Sequence, residues 1–320
     1  MTLGVVVIGL GNMGMLADLS LDPDLYVYSH ARGFHQHPKF KLLAGIDSSA
    51  QRRAEFVAAY DRPVFLSISE ALRLFDPDVV ALAVPTEAHA IVLEQVMAQR
   101  APRAILCEKP LAYTLNEAAR IVSLCSQAGT QLFVNYVRRS DPAVREIKSW
   151  LQSGKLILPL KGVAWYSKGL YNNGSHFLDL LKYWLGDFQG FKVIQARTSW
   201  ADDPEPDFLT NFEGGQIHFL SANERDYSHY NVELVSPSGR IRYDAGGGRV
   251  LWQSVIRHPT LPGYKVLDSN EQEIPNDLSK IQLHVVNQLS LALAGQPAAI
   301  CTGDQALRTN EHLASICADL

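Results

Sequence analysis

The stretch Val5-Val6-Val7-Ile8-Gly9-Leu10-Gly11-Asn12-Met13-Gly14 runs a block of β-branched residues directly into a G-x-G-x-x-G. Such a block favours a buried strand over a helix. Between a strand and a helix the three glycines have separate duties. The first permits the tight turn, the second lets a pyrophosphate approach the backbone, and the third lets helix and strand pack. The N-terminus of the following helix then favours the anion.

A turn of this kind needs strands and helices in alternation downstream, and the next residues supply them. Apolar runs predict strands at 4–8, 40–46, 64–65, 79–84, 104–107 and 131–136. Helical patterns fit between them. One covers 49–60, Ser69 is expected to cap the next, Thr86 the one through residue 99, and Thr114 the one ending near Gly129. This rhythm describes an α/β, doubly wound parallel sheet.

Past Arg138 the period changes. A helix over 141–152, stopped by Ser153-Gly154, leads into alternating stretches at 216–221, 231–235 and 240–243, with a turn at Pro237-Ser238-Gly239. That predicts a C-terminal α+β domain with an open, mostly antiparallel sheet. Helical patterns at 281–294 and 303–318 close the chain and can fold over either domain. The expected division is 1–138 and 139–320. Gly246-Gly247-Gly248 lies between strand patterns with no helix behind it and reads as a flexible turn.

Composition narrows the function. The chain has 320 residues, 47% hydrophobic and 19% charged, with net charge -4. That is an ordinary folded composition with no electrostatic case for nucleic acid or an anionic membrane as partner. No apolar run reaches bilayer length, and Met1-Thr2-Leu3-Gly4 lacks the basic start of a signal peptide. The expected compartment is the cytoplasm. Cys107, Cys125, Cys301 and Cys317 form no close pairs, so they are expected to be reduced and buried, with neither a disulfide framework nor a metal site.

Asp47 ends the second strand, where a carboxylate accepts hydrogen bonds from a ribose and repels a 2'-phosphate, which favours NAD over NADP. Arg52 and Arg53 stand close enough in sequence to reach a phosphate, so NADP stays open. Asp47 lies further from the glycines than the usual about twenty residues. The extra length falls in 26–38, read as an inserted loop near the adenine edge. His30, His35 and His37 within it fit no common metal spacing.

Two clusters carry candidate chemistry. Glu108-Lys109-Pro110 closes the run Ala104-Ile105-Leu106-Cys107. A lysine at the mouth of a buried strand is a costly charge unless it is solvated or chemistry uses it. The second cluster is Asn172-Asn173-Gly174-Ser175-His176-Phe177-Leu178-Asp179. If it opens a helix, Asn172, His176 and Asp179 share a face while Phe177, Leu178, Leu180, Leu181 and Trp184 bury the rest.

The order G-x-G-x-x-G, Val84-Pro85-Thr86-Glu87-Ala88-His89, Glu108-Lys109-Pro110 and Asn172-x-Gly174-x-His176-x-x-Asp179, with Asn135 and Arg138 near the domain crossing, resembles the glucose-fructose oxidoreductase and inositol dehydrogenase family, Gfo/Idh/MocA. The resemblance covers nearly the whole chain. It implies a Rossmann domain, a nicotinamide cofactor, a sugar-type substrate, and a homodimer or homotetramer formed through the C-terminal sheet. It implies cofactor contacts at Gly9, Gly11, Asn12, Met13, Gly14, Asp47, Pro85, His89, Glu108 and Lys109. Lys109 and His176 map to the family's lysine and histidine as catalytic residues, with Asn172, Asp179, Arg138 and Tyr171 as substrate contacts and Lys168 beside them.

Many members carry aspartate where this chain has Asn172. An amide orients the imidazole without supplying charge, so His176 is easier to deprotonate and an anionic substrate meets less repulsion. Asparagine-bearing members act on nucleotide-linked sugars, which leans the substrate that way. The expected chemistry is hydride transfer at a hydroxyl carbon, with His176 taking the proton and Lys109 steadying the oxyanion, or the two exchanged. Two other functions are open at this point. One is a non-oxidative enzyme with tightly held NAD that performs an elimination or glycoside cleavage; the other is a non-catalytic dinucleotide-binding regulator.

Overall fold

A computed structural model describes residues 2–196 and 199–320. Met1, part of the N-terminal reading above, lies outside them. The chain divides into two compact units, Met1–Ser140 with Ser279–Glu311, and Asp141–Leu278 with His312–Leu320.

The first unit is built on six parallel strands: β1 (Leu3–Ile8), β2 (Phe40–Ile46), β3 (Val64–Phe65), β4 (Val79–Leu82), β5 (Ala104–Cys107) and β6 (Gln131–Val134). Their order is β3-β2-β1-β4-β5-β6, with Cys301–Thr302 added antiparallel beyond β6. Strand order reverses between β1 and β4, which opens a crevice at their carboxyl ends. β4 and β5 are buried throughout, which is why they read as unbroken apolar runs. Along β1, Val6 and Ile8 join one core cluster while Val5 and Val7 join another, so the sheet is covered on both faces.

The expected helices form, with corrected starts. In α2 (Ala50–Tyr60) the cap is Ser49, and in α5 (Leu115–Gln127) Thr114 makes a capping box with Glu117. α3 (Ile68–Leu74) is capped by Ser67 rather than Ser69. Thr86 opens a 3-10 turn, Thr86–Ala88, and α4 (His89–Gln99) follows without a side-chain cap.

Two larger corrections concern the segment after the glycines. The expected helix is a five-residue π-helical turn, Asn12–Leu16, and the expected loop at 26–38 contains α1 (His30–Gln36), capped by Ser29. The cause is a buried polar set. Asp18, fully buried, accepts from the backbone N–H of Tyr28 at 2.6 Å and of Ser29 at 2.8 Å. Arg32 lies 3.7 Å from Asp18 and donates to the carbonyls of Leu21 and Tyr26 at 3.1 Å each. A helix continued beyond Leu16 would pull Asp18 away from these donors, and an uncompensated buried carboxylate costs several kcal/mol, about 3–5.

Whether the last helices cover one domain or the other is answered by packing. α8 (Ile281–Leu293) contributes Val285, Val286, Leu289 and Leu293 to the cluster around Val5, Val7 and Phe34. α9 (Gly303–Ala318) divides, with Ala306 in the core of the first unit and Leu313 and Ile316 in that of the second.

The second unit holds the expected open sheet. Its order runs Lys265–Leu267, Arg249–Arg257, Gly239–Asp244, Asn231–Ser236, Leu160–Tyr166, Gly215–Ser221, Asp207–Phe212, Phe188–Gln195. All these pairs are antiparallel except Leu160–Tyr166 with Gly215–Ser221. α6 (Pro142–Ser153), capped by Asp141, and α7 (Ser175–Leu185) share its core with Ala164, Tyr166, Phe219 and Ile241. Gly246 falls in a 3-10 turn, Ala245–Gly247. Among the described residues no helix is long and apolar enough to cross a membrane.

Candidate cofactor cradle and reactive side chains

Each glycine of the turn has its own steric reason. Gly9 has φ +89°, and a Cβ there would sit 2.5 Å from the Ala83 carbonyl oxygen. At Gly14 a Cβ would lie 1.8 Å from the Gly9 oxygen. Those two glycines are required by the fold itself. Gly11 differs: a Cβ would meet only Arg52 Nη1, at 3.7 Å. The space above Gly11 therefore fits an incoming pyrophosphate rather than protein. Asn12 is exposed and Met13 half-buried in the π-helical turn behind it. With no long helix there, anion binding rests on backbone N–H groups of the turn and much less on a helix dipole.

Asp47 follows β2 and is buried. Its Oδ2 accepts from the Leu10 N–H at 2.7 Å and its Oδ1 from the Ser49 N–H at 2.8 Å. The carboxylate thus fixes the glycine turn, and it retains lone pairs for a ribose hydroxyl. Arg53 donates to the carbonyls of Asp47 and Ser48 at 2.8 and 2.9 Å. Arg52, half-exposed, stands 3.5 Å from Asp47 Oδ2 and remains the cation nearest the cradle.

Beyond the carboxyl ends of β4 and β5 the structure places Pro85, Glu108 and Lys109 on loops and His89 at the start of α4. His89 is fully buried, with Nδ1 3.0 Å from the Leu111 carbonyl and Nε2 3.1 Å from that of Val84. It ties the Pro85 loop to the segment after Pro110. Burial lowers its proton affinity below the ordinary imidazole value, against the pull of the two carbonyls. Glu108 is buried and Lys109 half-buried, and the Lys109–Pro110 peptide is cis. Burial disfavours the Glu108 carboxylate, yet hydrogen bonds from His30 and Asn135 and the charge of Lys109 hold its pKa below the usual value. Arg138 is half-buried on the 3-10 turn Val137–Ser140, where its neighbour Arg139 donates to Gln305 at 2.6 Å.

In the second unit the motif opens with a π-helical turn, Gly169–Gly174, rather than an α-helix, and α7 begins at Ser175. Asn172 is therefore in the turn and exposed, while His176 and Asp179 lie in α7 and are buried. The turn is held by carboxylates. Asp203 accepts from the N–H of Tyr171 at 2.9 Å and of Asn172 at 2.8 Å, and Glu205 from that of Gly169 at 2.9 Å. A Cβ on Gly169, at φ +85°, would run into the Asp203 carboxylate at 2.1 Å. Lys168, with φ +64°, pairs with Glu224 at 3.0 Å. Tyr171 is half-buried, and burial raises its phenol pKa. Phe177 stacks on Tyr230 at 4.0 Å between ring centres, and the Tyr230 hydroxyl donates to the Asn173 carbonyl.

Sequence reasoning missed Gln282, Asp203 and Glu205, and considered His30 only together with His35 and His37. His30 is fully buried against Glu108 at 2.7 Å, whereas His35 is exposed and His37 packs on Phe40. The three histidines do not converge, and among the described residues no cluster could hold a metal ion.

Comparison with known proteins agrees with this geometry. Residues 3–136 match the family model described as oxidoreductase family, NAD-binding Rossmann fold. An inositol 2-dehydrogenase of Streptomyces avermitilis is 32% identical over 261 residues, covering 75% of this chain and 72% of that protein. The uncharacterized oxidoreductase YrbE of Bacillus subtilis is 28% identical over 155 residues, 48% of this chain and 41% of that one, so the match spans less than half of its length. The WlbA dehydrogenase of Bordetella pertussis, solved with NADH and UDP-GlcNAcA, has TM-score 0.76 at 17% identity, over 99% of this chain and 95% of that chain. That likeness speaks for the fold. The chain belongs to the Gfo/Idh/MocA family of oxidoreductases.

Proposed function

We propose that this chain is an NAD(P)-dependent dehydrogenase or reductase acting on a hydroxyl or keto carbon of a sugar derivative. The observation that carries the reading is the pairing of an open cradle at Gly11 with a buried carboxylate and Lys109 at the end of the same sheet. A dinucleotide held there supplies the hydride acceptor. Gly9, Gly11 and Gly14 shape its seat, Asp47 anchors the turn and meets the ribose, and Arg52 allows a 2'-phosphate.

The chain's own groups handle the proton. His176 takes it from the substrate hydroxyl, and Lys109 steadies the developing oxyanion by donating a hydrogen bond. Asn172, carried on the clamped π-helical turn, contributes an uncharged donor and acceptor, with Asp179, Tyr171 and Arg138 as further substrate contacts. A neutral amide there suits a substrate that carries a phosphate or carboxylate, so a nucleotide-linked sugar is the leading class. Similarity to a protein named inositol 2-dehydrogenase supports a polyhydroxylated substrate.

The same reading places the enzyme in the cytoplasm as a homodimer or homotetramer formed through the second sheet. Supporting that surface, Trp165 and Val235 are exposed on its strands. The test is turnover of Lys109→Met and His176→Ala across a panel of sugars and nucleotide sugars with NAD and NADP. Each variant is expected to lose at least ~10²-fold in kcat. Two variants that turn over like the wild type would remove the assignment.

A further inference from the structure

Glu108 is one corner of a ring of four buried side chains drawn from distant parts of the chain. His30 comes from α1, Asn135 follows β6, and Gln282 is the second residue of α8. His30 and Gln282 have no exposed surface and Asn135 has 1%. His30 Nε2 lies 2.7 Å from Glu108 Oε1, and Asn135 Nδ2 donates to the same oxygen at 2.7 Å and to Gln282 Oε1 at 3.1 Å. Gln282 Nε2 stands 3.1 Å from His30 Nδ1 and closes the ring.

Only one arrangement of hydrogens satisfies these contacts. Turning the Asn135 amide would set oxygen against carboxylate; turning that of Gln282 would set donor against donor. Gln282 therefore donates to Nδ1, and His30 is the Nε2–H tautomer donating to Glu108. Among the described residues no donor reaches Asn135 Oδ1, so the two donated bonds alone fix that amide. A buried network whose four mutual contacts are all matched holds its members in one geometry. Here that geometry anchors a carboxylate immediately before Lys109, whose own N–H lies 3.4 Å from Glu108 Oε2.

We propose that His30 is a positioning residue for Lys109, acting through Glu108: it keeps this carboxylate ionised and in place, and so fixes the charge that Lys109 meets. The proposal deepens the reading of Lys109 as a proton-handling group and rests on it. Among the described residues, the titratable groups whose charge reaches Glu108 include His30, Lys109, His89 and Cys107. His89 is occupied by two carbonyls, and Cys107 is a fully buried thiol. His30 donates directly to the carboxylate, at 2.7 Å.

The experiment reads Lys109 itself in the intact chain, independently of turnover. Lysines are reductively methylated with 13C-formaldehyde, the Lys109 signal is assigned by its loss in Lys109→Arg, and its midpoint is followed by NMR against pH. Glu108→Gln is expected to lower the midpoint by about one pH unit, the size of a lost neighbouring opposite charge. His30→Phe keeps the ring beside Phe34 but donates nothing, and should move the midpoint the same way by about half a unit or more. His30→Gln, which retains a donor, should restore the wild-type value, and His30→Phe with Glu108→Gln should add nothing to Glu108→Gln alone.

A wild-type midpoint in His30→Phe or in Glu108→Gln overturns the proposal. If His30→Phe does not fold, Gln282→Met, which removes the donor to His30 Nδ1, is read by the same criterion. Full activity of Lys109→Met would instead sink the proposed function while leaving these midpoints in place.

Discussion

Replacing Gly11 with alanine separates the requirements of the fold from those of the ligand. Gly11 has φ -72° and ψ -155°, an extended conformation that alanine adopts without strain. The new methyl would meet one atom within 4 Å, the end of a flexible arginine at 3.7 Å. Stability should therefore stay level or rise by about 0.4–1 kcal/mol, because alanine has less freedom to lose on folding. Cofactor binding should collapse. The methyl fills the space where a pyrophosphate would approach the turn, and forfeiting two hydrogen bonds to a charged group costs about 1.5–3 kcal/mol each. Two such losses weaken binding by roughly 10² to 10⁴-fold. Isothermal titration with NADH, beside a thermal melt of the same sample, measures both quantities. NADH affinity equal to wild type, or a melting point lowered by several degrees, would refute the reasoning. Gly14→Ala is the control: its Cβ would lie 1.8 Å from the Gly9 oxygen, so that variant should lose stability as well.

Other expectations follow from the same geometry. Asp47→Ala leaves the N–H groups of Leu10 and Ser49 without their acceptor and should cost about 2–3 kcal/mol in urea melts, while Asp47→Asn should cost less. Glu108 has a depressed folded pKa, so its contribution to stability is present above the unfolded value of about 4.3 and fades as pH falls through the folded one. The stability gap between wild type and Glu108→Gln should accordingly be largest near neutrality and close in acid, as urea titrations at stepped pH would show. Asp203→Ala removes the acceptor for Tyr171 and Asn172 N–H, and should raise KM more than it lowers melting temperature. Cys125 and Cys317 are pushed up to about 12 and about 11 by burial, so iodoacetamide at pH 8 should leave both unmodified in the native protein by mass spectrometry.

The parallel sheet and the glycine turn were legible because their signals are local. An apolar run buried on both faces looks the same in sequence and in structure, and Gly14 is demanded by the Gly9 oxygen five residues before it, although the Ala83 carbonyl that demands Gly9 comes from a distant strand end. The second sheet followed from the change of period near Arg138. What escaped the sequence depends on contacts made at long range. The helical pattern after Gly14 gives no sign that Asp18 will be claimed by Tyr28 and Ser29, so the short π-helical turn was missed. His30 was grouped with His35 and His37 because they are neighbours in sequence. Its partners, Glu108 and Gln282, stand 78 and 252 residues away. Asp203 and Glu205 were overlooked for the same reason, since their acceptor role exists only once a π-helical turn brings the N–H groups of Gly169, Tyr171 and Asn172 to them.

The return of residues Ser279–Glu311 to the first unit has a consequence for how the protein is made. Val285, Val286, Leu289, Leu293 and Ile300 share a core cluster with Phe34 of α1 and with Val5 and Val7 on one face of the sheet. A ribosome therefore releases every residue of 141–278 before the nucleotide-binding half can close its own core. The usual order, with the N-terminal domain folding first during synthesis, is lost: the first strands wait, one apolar face uncovered, until α8 emerges, and the second unit waits longer still for Leu313 and Ile316 to complete its own core.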